Sequence, residues 1–298
     1  MREQIYSIAD HNISVKFADH TIDIVSLAPS FQPFVVNSTH VADIAISVAV
    51  DNDYRPDRDA VTEVDRFFSS DLEYFLYARE DGGFIVSFRD KARNPLGIID
   101  LSSDFRSAVV ALLTNGDNVV MSSYAFSTAM MLAYTFATAN LSTLVIHSSA
   151  VKHKGKGFLF LGESGTGKST HSQLWLKNIS DAELINDDNP IIRIKDTDNI
   201  MVYGSPWSGK TPCYKSIKAP IGALVSLHQS GKNKILRLQP VSAFVEILSS
   251  VATLICCRPC YDSIVKTVIR LSETIPFYSL ECLPDDEAAR LCAETVSR

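Results

Sequence analysis

The stretch Gly162-Glu163-Ser164-Gly165-Thr166-Gly167-Lys168-Ser169 fits the pattern G-x-x-x-x-G-K-[ST] at every position, and its flanks constrain the chain further. Before it, residues 156–161 read as a short apolar strand. After it, residues 170–177 read as a helix with Leu174 and Leu176 available to pack. In such a strand–loop–helix the glycines let the backbone curl so that several N–H groups point at phosphate oxygens. The helix start adds a partial positive charge. Lys168 is placed for the β- and γ-phosphates and the Ser169 hydroxyl for a magnesium ion. The sequence therefore predicts a P-loop running from Gly162 to Thr170 that binds a nucleoside triphosphate with Mg2+.

Two adjacent carboxylates extend the pattern. Leu184-Ile185-Asn186-Asp187-Asp188 is an apolar strand running into Asp187 and Asp188. At a strand end one carboxylate can hold Mg2+, directly or through water, and the other can orient or deprotonate an attacking hydroxyl. Asp-Asp-Asn-Pro is also good turn chemistry; downstream of a P-loop helix the site reading is preferred. His147 closes another apolar strand fifteen residues before Gly162. On spacing alone a core histidine is the commoner reading, with a group near the γ-phosphate as the alternative.

Composition narrows the classes. With a net charge of −6 over 298 residues, the electrostatic footprint of a nucleic-acid partner is absent. Lys152, Lys154 and Lys156 gather before the loop, which suits a local anion better than a polymer. Residues 118–146 carry no charge, yet nine serines, threonines and asparagines interrupt them, so a buried interdomain helix leading into a strand is expected rather than a membrane span. The first residues have no apolar signal segment, and a cytoplasmic location is expected. Among six cysteines, Cys257-Arg258-Pro259-Cys260 is a lone C-x-x-C with no second ligand pair, read as buried, inert thiols.

The first 115 or so residues read as β-rich, with strands at 13–17, 44–50, 74–78, 84–88 and 97–101 and a hairpin at Glu80-Asp81-Gly82-Gly83. The turn cluster Asn115-Gly116-Asp117-Asn118 predicts a boundary between a β-rich domain 1–117 and a nucleotide-binding domain 118–298. In the second part a helix is expected at 122–139. Strands follow at 143–147, 149–152, 157–161, 183–186, 190–195, 200–203, 222–228 and 277–282, with helices at 241–255, 261–275 and from 285. The class is mixed α/β (α+β), without a Rossmann-like alternation.

The segments Ile146-His147-Ser148-Ser149-Ala150-Val151, Gly157 through Thr170, and Leu184 through Asn189 together resemble the HPr kinase/phosphorylase catalytic domain. They are also similar to the nucleotide site of phosphoenolpyruvate carboxykinase. That resemblance covers roughly residues 143–195 and implies a P-loop carried by a mixed, antiparallel-rich sheet. It implies Lys168 as the phosphate-binding lysine, Ser169 as a metal hydroxyl, Asp187 and Asp188 as the metal and base pair, and His147 beside the transferred phosphate. The arginine-bearing stretch with which HPr kinases engage their protein substrate has no counterpart at Tyr203-Gly204-Ser205-Pro206-Trp207-Ser208-Gly209-Lys210. There Trp207 reads either as an acceptor platform or as a core anchor, and Lys210 as an anion contact. The expected function is an ATP- and Mg2+-dependent phosphotransferase acting on a hydroxyl of a protein, peptide or small molecule, with a non-catalytic ATP sensor as the alternative. The expected partners are a nucleotide and that acceptor, with no nucleic acid or membrane; a homo-oligomer is left open.

Overall fold

The computed structural model describes residues 2–18, 23–37, 39–51, 53–56, 61–69, 71–113, 119–196, 199–209 and 211–297. The chain divides into two compact units, Met1–Ala137 and Thr138–Arg298. The turn cluster at 115–118 lies outside the described residues.

In the first unit come β1 (Arg2–Ile8), β2 (His11–Phe17), the one-turn helix α1 (Ile24–Leu27), a 3-10 stretch (Pro29–Phe34), β3 (Val35–Val36), β4 (Ile44–Val50), β5 (Val61–Ser69), β6 (Leu72–Arg79), β7 (Phe84–Asp90), β8 (Pro95–Leu101), β9 (Ser107–Leu112) and α2 (Val119–Thr138). The strands form one mixed sheet ordered β3-β1-β2-β4-β9-β8-β7-β6-β5. Ala9 and Asp10 both take positive φ, which closes the β1–β2 hairpin with a twist matching its strands. Along α2, Phe126 packs on Phe17 and Phe31, and Phe136 on Phe84 and Phe105. The buried Tyr134 hydroxyl donates to the Ile8 carbonyl at 3.3 Å. Most of the uncharged run is thus a helix, with Phe126, Tyr134 and Phe136 buried against the first unit. No helix among the described residues is long and apolar enough to cross a membrane.

The second unit holds β10 (Thr143–Val145), β11 (Ser149–His153), β12 (Lys156–Leu161), α3 (Lys168–Asn178), β13 (Glu183–Asn186), β14 (Ile191–Ile194), β15 (Ile200–Tyr203), β16 (Lys218–Gln229), β17 (Lys234–Arg237), α4 (Pro240–Ser250), α5 (Arg258–Thr274), β18 (Phe277–Cys282) and α6 (Asp286–Val296). Its sheet runs β10-β14-β15-β16-β12-β11-β13, with β18 beside β16 and β17. Pairing is antiparallel except at β12–β16 and β16–β18. β13 opposes β11, which opposes β12, so β13, β12, β16 and β18 all point the same way. Their carboxyl ends share one edge, where ligands of open α/β sheets bind.

The strand before the loop is buried on both faces, as its unbroken apolar run requires. Phe158 and Phe160 join Trp175 of α3 and Ala289, Cys292, Ala293 and Val296 of α6 in one core. On the opposite face α4 packs against β12 and β18. Lys154 and Gly155, both at positive φ, make the tight turn between β11 and β12. The structure differs from the expected helix at 241–255. α4 stops at Ser250 because Val251 becomes extended and bridges Ile146, and Cys257 then caps a new helix with Pro259 in its first turn.

Candidate functional site

β12 delivers the chain into the glycine loop, and three loop residues need conformations that side chains resist. Gly162, Gly165 and Gly167 have φ of 144°, 84° and 107°. A Cβ at Gly165 or Gly167 would meet nothing within 4 Å, so backbone conformation rather than crowding demands glycine there. Gly167 is the N-cap of α3 and is followed at once by Lys168 and Ser169. The unsatisfied N–H groups of that first turn are what an anion would use. Glu163, Ser164 and Gly165 are exposed at the rim.

Lys168 is 7% exposed, and its Nζ donates to the Gly162 carbonyl at 2.8 Å and the Glu163 carbonyl at 3.1 Å. Burial lowers its pKa, and the negative charge of Asp188 works in the opposite direction. The lysine therefore belongs to the loop and feels the charge of Asp188.

Asn186 shapes the turn that carries Asp187 and Asp188. It is fully buried; its Oδ1 accepts from the backbone N–H groups of Asp188 and Asn189, both at 2.9 Å. Its Nδ2 donates to Ser205 Oγ and to the Trp207 carbonyl, both at 3.2 Å. This ties 205–207 behind the acidic pair, and Gly209 lies so close that a Cβ there would sit 3.2 Å from Asp188 Cβ. Trp207 is 5% exposed, which makes it a core anchor rather than an acceptor platform. Lys210 lies outside the described residues.

The two aspartates have different surroundings. Asp187 is 3% exposed; its Oδ1 accepts from Ser149 Oγ at 3.1 Å, and its Oδ2 is buried without a partner. Ser149 Oγ in turn meets Ser172 Oγ of α3 at 2.5 Å. Ser172 is three residues after Ser169, so both lie on the side of α3 that faces Asp187. Asp188 is half-buried, and its Oδ2 accepts from Asn189 Nδ2 at 2.6 Å. His147 Nε2 lies 3.4 Å from Asp188 Oδ1. The N–H of Ser148 donates to the Asp188 carbonyl at 2.9 Å, and the N–H of His147 to the Ser250 carbonyl at 2.7 Å. Lys168, Asp187, Asp188 and His147 are thereby brought to one sheet edge. The roles of Asn186, Ser149 and Ser172 were missed at the sequence level. The one available signal was the asparagine directly before the acidic pair, a residue suited to an Asx turn.

These donors fit a magnesium ion. An orphaned buried carboxyl oxygen and a serine hydroxyl are hard ligands, and Mg2+ ordinarily takes one or two carboxylates with phosphate oxygens and water. Among the described residues no three His, Cys, Asp or Glu side chains are grouped to hold a metal unaided.

On the other flank of β12 lies a cavity of about 630 Å³, lined by Thr170, Leu174, Leu227, Gln229, Cys282 and Leu283 among others. Gln229 Nε2 donates to the carbonyls of Gly165 at 3.2 Å and Thr166 at 3.4 Å, which joins the end of β16 to the loop. The loop thus has an acidic flank on one side and borders, on the other, a pocket of mixed polar and apolar lining and of a size that takes small ligands.

No family model and no curated protein matches the chain. Among solved structures, the HPr(Ser) kinase/phosphatase from Coxiella burnetii is similar to it. The likeness covers 52% of this chain and 88% of that one, at 13% identity and a TM-score of 0.31.

Proposed function

We propose that this chain binds a nucleoside triphosphate with Mg2+ and transfers its γ-phosphoryl group to a hydroxyl acceptor, in the manner of HPr kinase-like phosphotransferases. The observation that carries the reading is the pairing of a formed P-loop with a buried carboxyl oxygen, Asp187 Oδ2, that lacks any partner.

In this reading Lys168 exchanges its loop carbonyls for phosphate oxygens, and the N-terminal N–H groups of α3 cradle the same charge. Ser169 and Asp187 would hold the magnesium, which would supply neutralisation of the charge on the β- and γ-phosphates. Asp188 is the more exposed carboxyl and can meet an acceptor arriving from solvent, accepting its proton as general base. His147 positions Asp188. The nucleoside occupies the pocket beside β16 and β18, with Leu174, Leu227 and Leu283 against its base, so the γ-phosphate points toward the β13 flank. All of these groups belong to the second unit; the β-rich domain at 1–117 serves to present the acceptor. A cytoplasmic location belongs to the same reading, since that is where ATP is supplied.

Calorimetry with MgATP tests the binding step. Lys168→Ala is expected to weaken binding about 100-fold through loss of a charge-assisted contact; equal affinities would refute the P-loop assignment. Transfer is tested with γ-labelled ATP and a cell extract. Asp188→Asn is expected to keep affinity within about tenfold while lowering labelling about 100-fold or more. A wild type that binds ATP tightly and labels nothing would instead be a nucleotide sensor.

A further inference from the structure

The connection between α4 and α5 holds a chemical group that nucleotide binding does not use. Cys257 is the N-cap of α5, Pro259 lies in the helix's first turn, and Cys260 is also in that turn. The sulfurs of Cys257 and Cys260 are 2.6 Å apart, and the residues are 1% and 3% exposed. The N-cap position lies at the positive end of the helix, a setting that favours a thiolate. The helix start thus supplies the setting that the bare C-x-x-C spacing lacked.

The two thiols are not equivalent. The hydrogen bond between the two sulfurs lowers the pKa of Cys257 and raises that of Cys260. Cys257 is then the attacking sulfur and Cys260 the resolving one.

We infer that Cys257 and Cys260 form a reversible dithiol–disulfide site, oxidised by low-molecular-weight disulfides, and that its state is felt at His147. In the first step the Cys257 thiolate bonds to one sulfur of the small disulfide and expels the other as a thiolate, which takes up the proton Cys257 has released. In the second step Cys260 loses its proton, attacks the Cys257 sulfur and expels the remaining small thiol. Two protein thiols are oxidised and one small disulfide is reduced to two thiols; a dithiol reductant reverses the exchange.

Access and coupling both run through residues 251–257. Beyond the bridge from Val251 to Ile146 this segment is neither helix nor strand, and Ile255 is 67% exposed. Its local bonds include Ile255 N–H to Thr253 and Cys257 N–H to Leu254. Opening of such a segment requires far less than global unfolding and exposes the sulfurs. At its other end Ser250 accepts the His147 N–H. A disulfide between Cys257 and Cys260 pins the carboxyl end of the segment to the first turn of α5, and a segment pinned there opens less readily as far as Ser250.

The test needs no nucleotide, so its result is separate from that of the phosphotransferase reading. The full-length protein is equilibrated with mixtures of reduced and oxidised glutathione, its thiols are trapped, and peptides are mapped by mass spectrometry. Amide hydrogen exchange at His147 is followed in both states. The expected result is one disulfide joining Cys257 to Cys260, absent in Cys257→Ser and Cys260→Ser and reversed by dithiothreitol. In the oxidised form the His147 amide is expected to exchange roughly tenfold more slowly. Connectivity is decided on the wild type, so a variant that fails to fold does not block the answer. Oxidation confined to other cysteines, a glutathione adduct on Cys257 that Cys260 never resolves, or a disulfide that leaves His147 exchange unchanged would each overturn the inference.

Discussion

Asp187→Asn separates the demands of folding from those of ligand binding. In the ligand-free protein Asp187 is 3% exposed, with one hydrogen bond to its Oδ1 and none to its Oδ2. A buried polar atom left without a partner costs about 1–3 kcal/mol, and more when it carries charge. Asparagine has the same shape, retains the bond from Ser149 and leaves a neutral group in the orphaned position, so only the charge-dependent part of the penalty disappears. The variant without ligand is expected to be more stable than wild type by about 1–2 kcal/mol. At about 2–4 °C per kcal/mol this raises the melting temperature by roughly 2–8 °C. With MgATP at about 100 times its dissociation constant, the wild type should gain about 2.7 kcal/mol, and most of that gain should vanish in the variant. Scanning calorimetry in chelator, then with MgATP, reads both effects. A variant that melts below wild type in chelator and keeps the full MgATP shift would make Asp187 a structural carboxyl and refute the metal assignment.

Three further outcomes are expected. Burial pushes the pKa of His171 down to about 4, and its Nε2 accepts from Trp175 Nε1. From pH about 6.5 down to about 4 the unfolded chain takes up a proton that the fold refuses, so stability falls across that window by about 3 kcal/mol, with no contribution above it. Urea midpoints across the window should flatten in His171→Gln, and an unchanged slope would contradict this. Gly204→Ala would put a Cβ 2.1 Å from the Lys215 carbonyl oxygen, so a loss of about 2–3 kcal/mol is expected in denaturant titrations; a loss under about 0.5 kcal/mol would show that the backbone yields freely. Leu283→Trp, at the partly exposed wall of the cavity, should weaken ATP about tenfold while tripolyphosphate binds as before; equal losses, or none, would move the nucleoside out of that pocket.

Local signals were legible where sequence and structure share a short range. The strand–loop–helix around Gly162–Ser169, the β11–β12 hairpin and the strand ending at Asn186 are all set by neighbouring residues, and the observed elements lie within a few residues of those expected. Strands β1, β5 and β9 were not anticipated. β5 carries Glu63, Asp65 and Arg66 among exposed apolar residues at a sheet edge, so its pattern has no clean alternation. The parallel pairing of β12 with β16 joins Leu161 to Ser226, and no local pattern announces a partner that distant. The same holds for the site. The positions of Lys168 at the start of α3 and of Asp187 at the end of β13 follow from their local motifs, but the serine pair beneath Asp187 and the clasp of Gln229 on the loop exist only once separate strands have met.

The bonds from Lys168 to the Gly162 and Glu163 carbonyls bear on how fast a ligand can be captured. On the phosphotransferase reading, these two bonds tie the ammonium group to the loop backbone in the shape that a phosphate would meet. Arrival of a triphosphate then becomes a swap of acceptors around one ammonium group, with little chain left to order. Such a swap requires no slow rearrangement before encounter, and stopped-flow traces should show a single phase whose rate rises linearly with nucleotide concentration.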